Sequence, residues 1–245
     1  MHMSITTIGN NLIHYEVLGR GKPVIFIHGW LGSWRYWWPT MQGLSARHRS
    51  FAFDFWGYGD SSKVAGMYTL NGYTGTLDQF IDKLGIRGPF TLIGHGLGAA
   101  IALKYTKHRA EFVDKVITVA LPIHGNAINN RLANNEPTAV LKAIGKNNSF
   151  TEVDSEVKKT DPQAMNKITA EMLKANFVDD LLSCPRPILT VFGTQDPLVK
   201  TPPKEIQERG KNVYHVTLEN CSHFPMLQEK AKFNRLVLDF IHATD

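Results

Sequence analysis

Short apolar runs recur along the chain at residues 24–28, 50–55, 90–93, 116–120, 188–192 and 213–218, and they are rich in β-branched and aromatic residues. They are mostly continuous rather than alternating. Alternation marks a strand with one solvated face, whereas a continuous run suits a strand covered on both faces, as in a parallel sheet. Helical spacing fills the gaps. One predicted helix covers residues 70–84, opening after Thr69 and closing at the helix-terminating Gly85. A second follows the 90–93 run at residues 98–107, and a third spans 227–242, with Phe233, Leu236, Val237, Phe240 and Ile241 on its apolar face. Ahead of these, residues 4–18 place Gly9-Asn10-Asn11 between apolar segments, which predicts a hairpin on the sheet edge. Strand and helix alternating at this spacing predict an α/β fold with a doubly wound, mostly parallel sheet.

One stretch breaks the rhythm. Residues 122–183 hold no convincing strand, are rich in Asn, Lys and Glu, and show helical periodicity at 137–144 and 164–182. An insertion of that length is too long for a simple connection between sheet strands. The expected organisation is therefore a core of residues 1–121 and 184–245, with 122–183 as a helical cap over the active edge of the sheet. There is no internal repeat and no low-complexity tract.

Composition narrows the class. With 245 residues, 43% of them hydrophobic and 20% charged, the chain is an ordinary globular mixture rather than a disordered one. A chain this long buries roughly two-thirds or more of its extended surface, so its fold needs no disulfide or metal. No apolar run approaches the length of a bilayer span, and no signal-peptide pattern opens the chain. Met1-His2-Met3 reads as a remnant ahead of a native Met3. Two cysteines, Cys184 and Cys221, make no disulfide framework, which sets a reduced, cytoplasmic location as the expectation. The net charge of +5 is diffuse: Arg47-His48-Arg49 and Lys107-His108-Arg109 are its densest spots. Without a basic stripe or a reading motif, nucleic acid is not an expected partner. A small molecule is, for a monomer or homodimer.

Ligands of an open parallel sheet bind beyond the carboxyl ends of its strands, so the chemistry belongs in the segments that follow the runs. These are His28-Gly29-Trp30-Leu31-Gly32, Asp54-Phe55-Trp56-Gly57-Tyr58-Gly59-Asp60-Ser61 and Gly94-His95-Gly96-Leu97-Gly98. Two more are Gly193-Thr194-Gln195-Asp196 and Glu219-Asn220-Cys221-Ser222-His223. A histidine and a carboxylate on neighbouring strand ends can form a proton relay, the carboxylate holding the imidazole tautomer and stabilising the imidazolium.

In this order of motifs the chain resembles the α/β-hydrolase superfamily over essentially its whole length. The family carries an HG loop, a DxxGxGxS turn, a glycine-rich elbow, an acid after the next-to-last strand and a histidine after the last. The resemblance implies Asp196 as the acid, His223 as the base, and the amides of Trp30 and Leu97 as oxyanion donors. It also implies no cofactor; no cysteine–histidine or paired acidic motif has metal-ligand spacing. At the nucleophile the chain departs from the family. The elbow G-x-S-x-G has Gly96 at its centre, and Gly94 and Gly98 fix that register, leaving only His95 and Leu97 beside it. His28 reads as a loop-fixing residue and His95 as a packed elbow residue, while Asp54, Gly57, Gly59 and Ser61 read as turn-formers. The cluster Trp34, Tyr36, Trp37 and Trp38 reads mainly as helix packing. Trp34, Trp37 and His124 are the candidate substrate contacts.

Three readings of Gly96 stand open. The chain is an ester, thioester or lactone hydrolase whose serine has been replaced, leaving an impaired enzyme. Or the glycine is native, and His223 with Asp196 activates water or a substrate proton directly. Or the domain kept its pocket as a ligand-binding protein and lost turnover.

Overall fold

A computed structural model describes residues 4–243; Met1-His2-Met3, expected to be a remnant, lies outside the described residues. One eight-stranded sheet organises the chain, in the order β1-β2-β4-β3-β5-β6-β7-β8. The strands are β1 (Ser4–Ile8), β2 (Asn11–Gly19), β3 (Lys22–Ile27), β4 (His48–Phe53), β5 (Phe90–His95), β6 (Val113–Val119), β7 (Ile188–Gly193) and β8 (Val213–Leu218). β1 and β2 form the expected antiparallel hairpin at the edge, and every pairing from β4 to β8 is parallel. Burial follows the sequence pattern. β5 and β7 are buried at every position, whereas the edge strand β1 alternates between half-buried and exposed. Each wholly buried Ile, Leu or Phe in the central strands, such as Phe26, Leu92 or Ile117, contributes about 1.5–3 kcal/mol of hydrophobic stabilisation.

Helices cover both faces. They are α1 (Trp38–Leu44), α2 (Leu70–Lys83), α3 (Leu97–His108), α4 (Pro137–Ala143), α5 (Thr151–Asp154), α6 (Pro162–Met172), α7 (Val178–Leu182), α8 (Lys204–Gln207), α9 (Pro225–Gln228) and α10 (Lys230–His242). Local chemistry sets their ends. Thr69 caps α2 by accepting from the Gly72 amide at 2.9 Å. Asp161 caps α6 in the same way, with Pro162 in the first turn, where the missing N–H costs nothing.

Two predicted helices are broken. The periodicity at 164–182 divides into α6 and α7 because the intervening Asn176 bridges to His124 and the Phe177 amide donates to the Ile123 carbonyl. The C-terminal helix likewise divides at Glu229 into α9 and α10. Among the described residues, the segment between β6 and β7 contains helices and isolated bridges but no strand.

That segment is fastened to the sheet side at several points. The Asp161 amide donates to the Gly57 carbonyl at 2.7 Å, and the Tyr68 hydroxyl donates to Asp161 at 2.8 Å. Buried Glu156 pairs with Arg35 at 2.9 Å and Lys159 at 3.1 Å, and Lys159 continues to Asp60 at 2.9 Å.

Candidate active site

The carboxyl ends of β3, β5, β7 and β8 converge, and each carries one part of the site. The β5–α3 turn is the elbow. Gly96 sits there with φ 52° and ψ −110°, a conformation that strains any residue with a Cβ. Its flanking glycines are steric requirements. A Cβ on Gly98 would come within 2.3 Å of the Ile27 carbonyl oxygen, and one on Gly94 within 2.3 Å of the Gly98 oxygen. The helix can therefore start directly on the sheet only with glycine at both positions. The Gly96 amide donates to the Val119 carbonyl at 2.8 Å, pinning the turn to β6.

The loops after β7 and β8 carry the acid and the histidine. Nδ1 of His223 lies 3.0 Å from Oδ1 and 2.9 Å from Oδ2 of Asp196. Asp196 Oδ1 also accepts from the Leu198 and Val199 amides at 2.8 and 3.1 Å. An acceptor-only carboxylate fixes the imidazole tautomer: Nδ1 carries the proton and Nε2 presents a lone pair. Both side chains are buried, and His223 Nε2 has no protein partner. The His223 amide donates to Oδ1 of Asn148 at 3.1 Å, so the segment between β6 and β7 holds the backbone of this histidine.

His95, beside Gly96, ties the loops together. Its ring centroid is 4.4 Å from that of His223. Nε2 of His95 donates to the His223 carbonyl at 2.9 Å, which leaves Nδ1 to accept from the Tyr36 hydroxyl at 3.1 Å. The Tyr36 oxygen in turn accepts from the Gly29 amide. Burial holds His95 well below the usual histidine range, with the neighbouring His223 acting in the same direction, so the ring is neutral. One chain of hydrogen bonds thus spans the HG loop, the elbow and the histidine loop.

The remaining sequence candidates fall into place around this frame. Among the described residues, the amides of Trp30 and Leu97 donate to no protein acceptor, and both residues are wholly buried. His28 fixes its loop: Nδ1 donates to the Gly29 carbonyl at 2.8 Å and Nε2 accepts from the Phe55 amide at 3.0 Å. Asp54 organises the next turn by accepting from the Trp34 amide at 2.8 Å, the Asp60 amide at 3.1 Å and His14 Nδ1 at 3.0 Å. Trp37 packs among Phe26, Tyr36 and Phe233, and Trp34 lies edge-on to His14 and Trp38; these are the surroundings of core residues. His124 is half-buried at the start of the insertion, 2.9 Å from the Asn126 side chain.

Two parts of the site were not anticipated from the sequence, the Asn148 contact and the side chain of Trp30. A third feature is a group of possible metal ligands, His14, Asp54 and Asp60, whose donor atoms lie within 4.8 Å of one another. Protein groups already engage these donors: Asp54 as above, and Asp60 through Lys159 and Arg35.

This fold and site define an alpha/beta hydrolase. The chain belongs to that family, whose description "Alpha/beta hydrolase family" matches residues 24–236. It is 32% identical over 123 residues to epoxide hydrolase 2 of Siraitia grosvenorii, a match covering 49% of this chain and 38% of that enzyme. The chain thus spans well under half the length of the first curated relatives it matches. Over nearly its full length, it is 23% identical to the pimeloyl-[acyl-carrier protein] methyl ester esterase of Vibrio vulnificus (93% and 97% covered). Among solved structures, an esterase from Exiguobacterium antarcticum superposes with a TM-score of 0.86 at 19% identity, covering 99% and 100% of the two chains. A Ser-to-Gly mutant of an N-acyl homoserine lactonase, complexed with N-hexanoyl homoserine lactone, gives 0.85 at 20% identity (98% and 97% covered). At these identities, the structures establish a shared fold. Among the described residues, no helix is long and apolar enough to cross a membrane.

Proposed function

We propose that the chain carries the site of a hydrolase for small or medium carboxylic esters, thioesters or lactones, with its nucleophile position vacated by Gly96. The carrying observation is the pair Asp196–His223, hydrogen-bonded at 2.9–3.0 Å with Nε2 buried and free. Its imidazole lies against His95, the residue before the left-handed elbow glycine. The relatives named as esterases and lactonases support the same substrate class.

With serine at position 96, the hydroxyl would attack the acyl carbon while His223 Nε2 takes its proton. The Trp30 and Leu97 amides would receive the negative charge developing on the acyl oxygen. Collapse of that adduct breaks the bond to the leaving group, which takes the proton from His223, and a water repeats the sequence to release the acid. Residues 122–183 serve as the cap that selects the substrate. In the chain as it stands the first step has no attacking atom. In a serine protease, removing the nucleophile costs on the order of 10⁶ in turnover, so this chain is a strongly impaired hydrolase.

One observation favours a second reading. The Trp30 indole packs where a side chain at 96 would begin, as it would if glycine were native. His223 would then take a proton directly from a water or a substrate.

A serine-reactive phosphonate and a short-chain aryl ester, applied to this chain and to Gly96→Ser, test both readings. Labelling and turnover confined to the serine form support the first. Turnover by the glycine form that disappears in His223→Ala supports the second. Ligand binding with no turnover in either form sinks both and leaves a binding protein.

A further inference from the structure

The loop that carries the acid is gripped from the insertion. Asp196 Oδ1 accepts from the amides of Leu198 and Val199 at 2.8 and 3.1 Å. Each of these N–H groups belongs to a planar peptide unit whose carbonyl points the opposite way. Those two carbonyls, of Pro197 and Leu198, share one partner. Asn129 donates through Nδ2 to the Pro197 carbonyl at 2.9 Å and through its own amide to the Leu198 carbonyl at 2.8 Å. Its Oδ1 accepts from the Arg131 amide at 3.0 Å, which turns Nδ2 towards Pro197. The Ile128–Val199 bridge continues the seam, as does the Lys200 amide, which donates to the Ala127 carbonyl at 2.9 Å. A cavity of about 650 Å³ is lined by these same two segments, so on that side hydrogen bonds rather than packed side chains set the position of the loop.

We infer that Asn129 is a positioning residue for the acid–histidine pair. By holding both peptide units from behind, it points their N–H groups at Asp196 and polarises them as donors. With Oδ1 engaged twice, the carboxylate cannot rotate without losing two hydrogen bonds, and it stays within 2.9–3.0 Å of His223 Nδ1. Asn148 holds the other partner by accepting from the His223 amide. Both asparagines lie in residues 122–183, so both members of the pair are aimed from the insertion.

The test uses the full chain. Asn129→Ser keeps an acceptor able to cap the following turn and keeps the main-chain amide, but it removes the donor to Pro197. In protein labelled with nitrogen-15 histidine, the Nδ1 proton of His223 is followed by NMR and identified by its disappearance in His223→Gln. The Asn129→Ser variant is expected to lose a large part of this signal as the tautomer protonated at Nε2 gains population. An unchanged signal overturns the assignment even where Tm falls, because a merely structural role lowers Tm without moving the tautomer. Where Asn129→Ser does not fold, Asn129→Asp takes its place, since it keeps the shape and the capping acceptor but lacks the donor.

A second arm rests on the proposed hydrolase reading. In the Gly96→Ser form, Asn129→Ser is expected to lower kcat on an aryl ester about ten-fold with KM unchanged, within the roughly 10² that a displacement of about 1 Å costs. An unchanged kcat together with an unchanged tautomer signal overturns the positioning role. No turnover by Gly96→Ser itself overturns the hydrolase reading instead, and the tautomer signal then decides the role of Asn129 alone.

Discussion

The two sides of the site are built on different principles. On the side of Asp196 and His223, position is set by hydrogen bonds: the carboxylate accepts from two amides and an imidazole, and the histidine backbone is held by Asn148 and His95. On the elbow side, position is set by volume: Gly94 and Gly98 admit no side chain, and the Trp30 ring fills the space above Gly96. Hydrogen bonds tolerate little change in distance or angle before they fail. A packed apolar ring can close over a small deletion and still exclude water. Position 96 is therefore closed off by packing on one side, while the Asp196–His223 pair on the other is held by its hydrogen bonds.

The largest expected effect tests whether the relay is a working unit. In the Gly96→Ser form, Asp196→Asn keeps an acceptor for the Leu198 and Val199 amides but allows the wrong imidazole tautomer. The corresponding change in a serine protease costs about 10⁴ in kcat. Steady-state hydrolysis of an aryl ester reads this, and a loss below ten-fold would mean that the hydrogen-bonded side is scaffolding.

A smaller effect is expected where the insertion grips the elbow side. Glu156 is buried but its partners Arg35 and Lys159 are about one-third exposed. Breaking a fully buried pair costs about 3–5 kcal/mol, and solvent screening of the cations reduces this to about 1–2 kcal/mol for Glu156→Ala. Thermal unfolding should register a fall of about 2–8 °C; an unchanged Tm would show that the clasp contributes nothing.

The smallest effect concerns His14 beneath the Asp54 turn. Burial lowers its pKa, but the hydrogen bond and charge of Asp54, with Asp60 and Glu16, outweigh this and leave it raised. A raised folded value means that the contribution is complete below the ordinary value near 6.5. It is then lost as pH climbs through the folded value. His28 and His95 are lowered by burial and act in the opposite sense. The difference between this chain and His14→Gln therefore isolates the pair. Denaturant unfolding is followed for both proteins across about pH 6–8.5, the window above the ordinary histidine value. The stability advantage of the unsubstituted chain should shrink with rising pH, and a constant difference would refute the ion pair.

Legibility in the sequence divides along similar lines. The strands of the sheet and the loops following them could be read because covered strands leave continuous apolar runs, and ligand sites follow strand ends. The break between α6 and α7 could not, because the partners of Asn176 and Phe177 lie some fifty residues earlier in the chain, at His124 and Ile123. Asn148 offers no local signal for the same reason. The role of the Trp30 ring was half visible: a large residue after His28-Gly29 and a glycine at the elbow are both in the sequence, but the direction of the ring is set by the loop backbone.

The line from Gly29 through Tyr36 and His95 to the His223 carbonyl runs donor to acceptor in a single sense. Such a polarised string transmits disturbance, since each link strengthens the next. Position 36 therefore has a say in where residue 223 stands without touching its imidazole. Drift at that tyrosine would be felt first, through His95, as a misaimed histidine in the loop after β8.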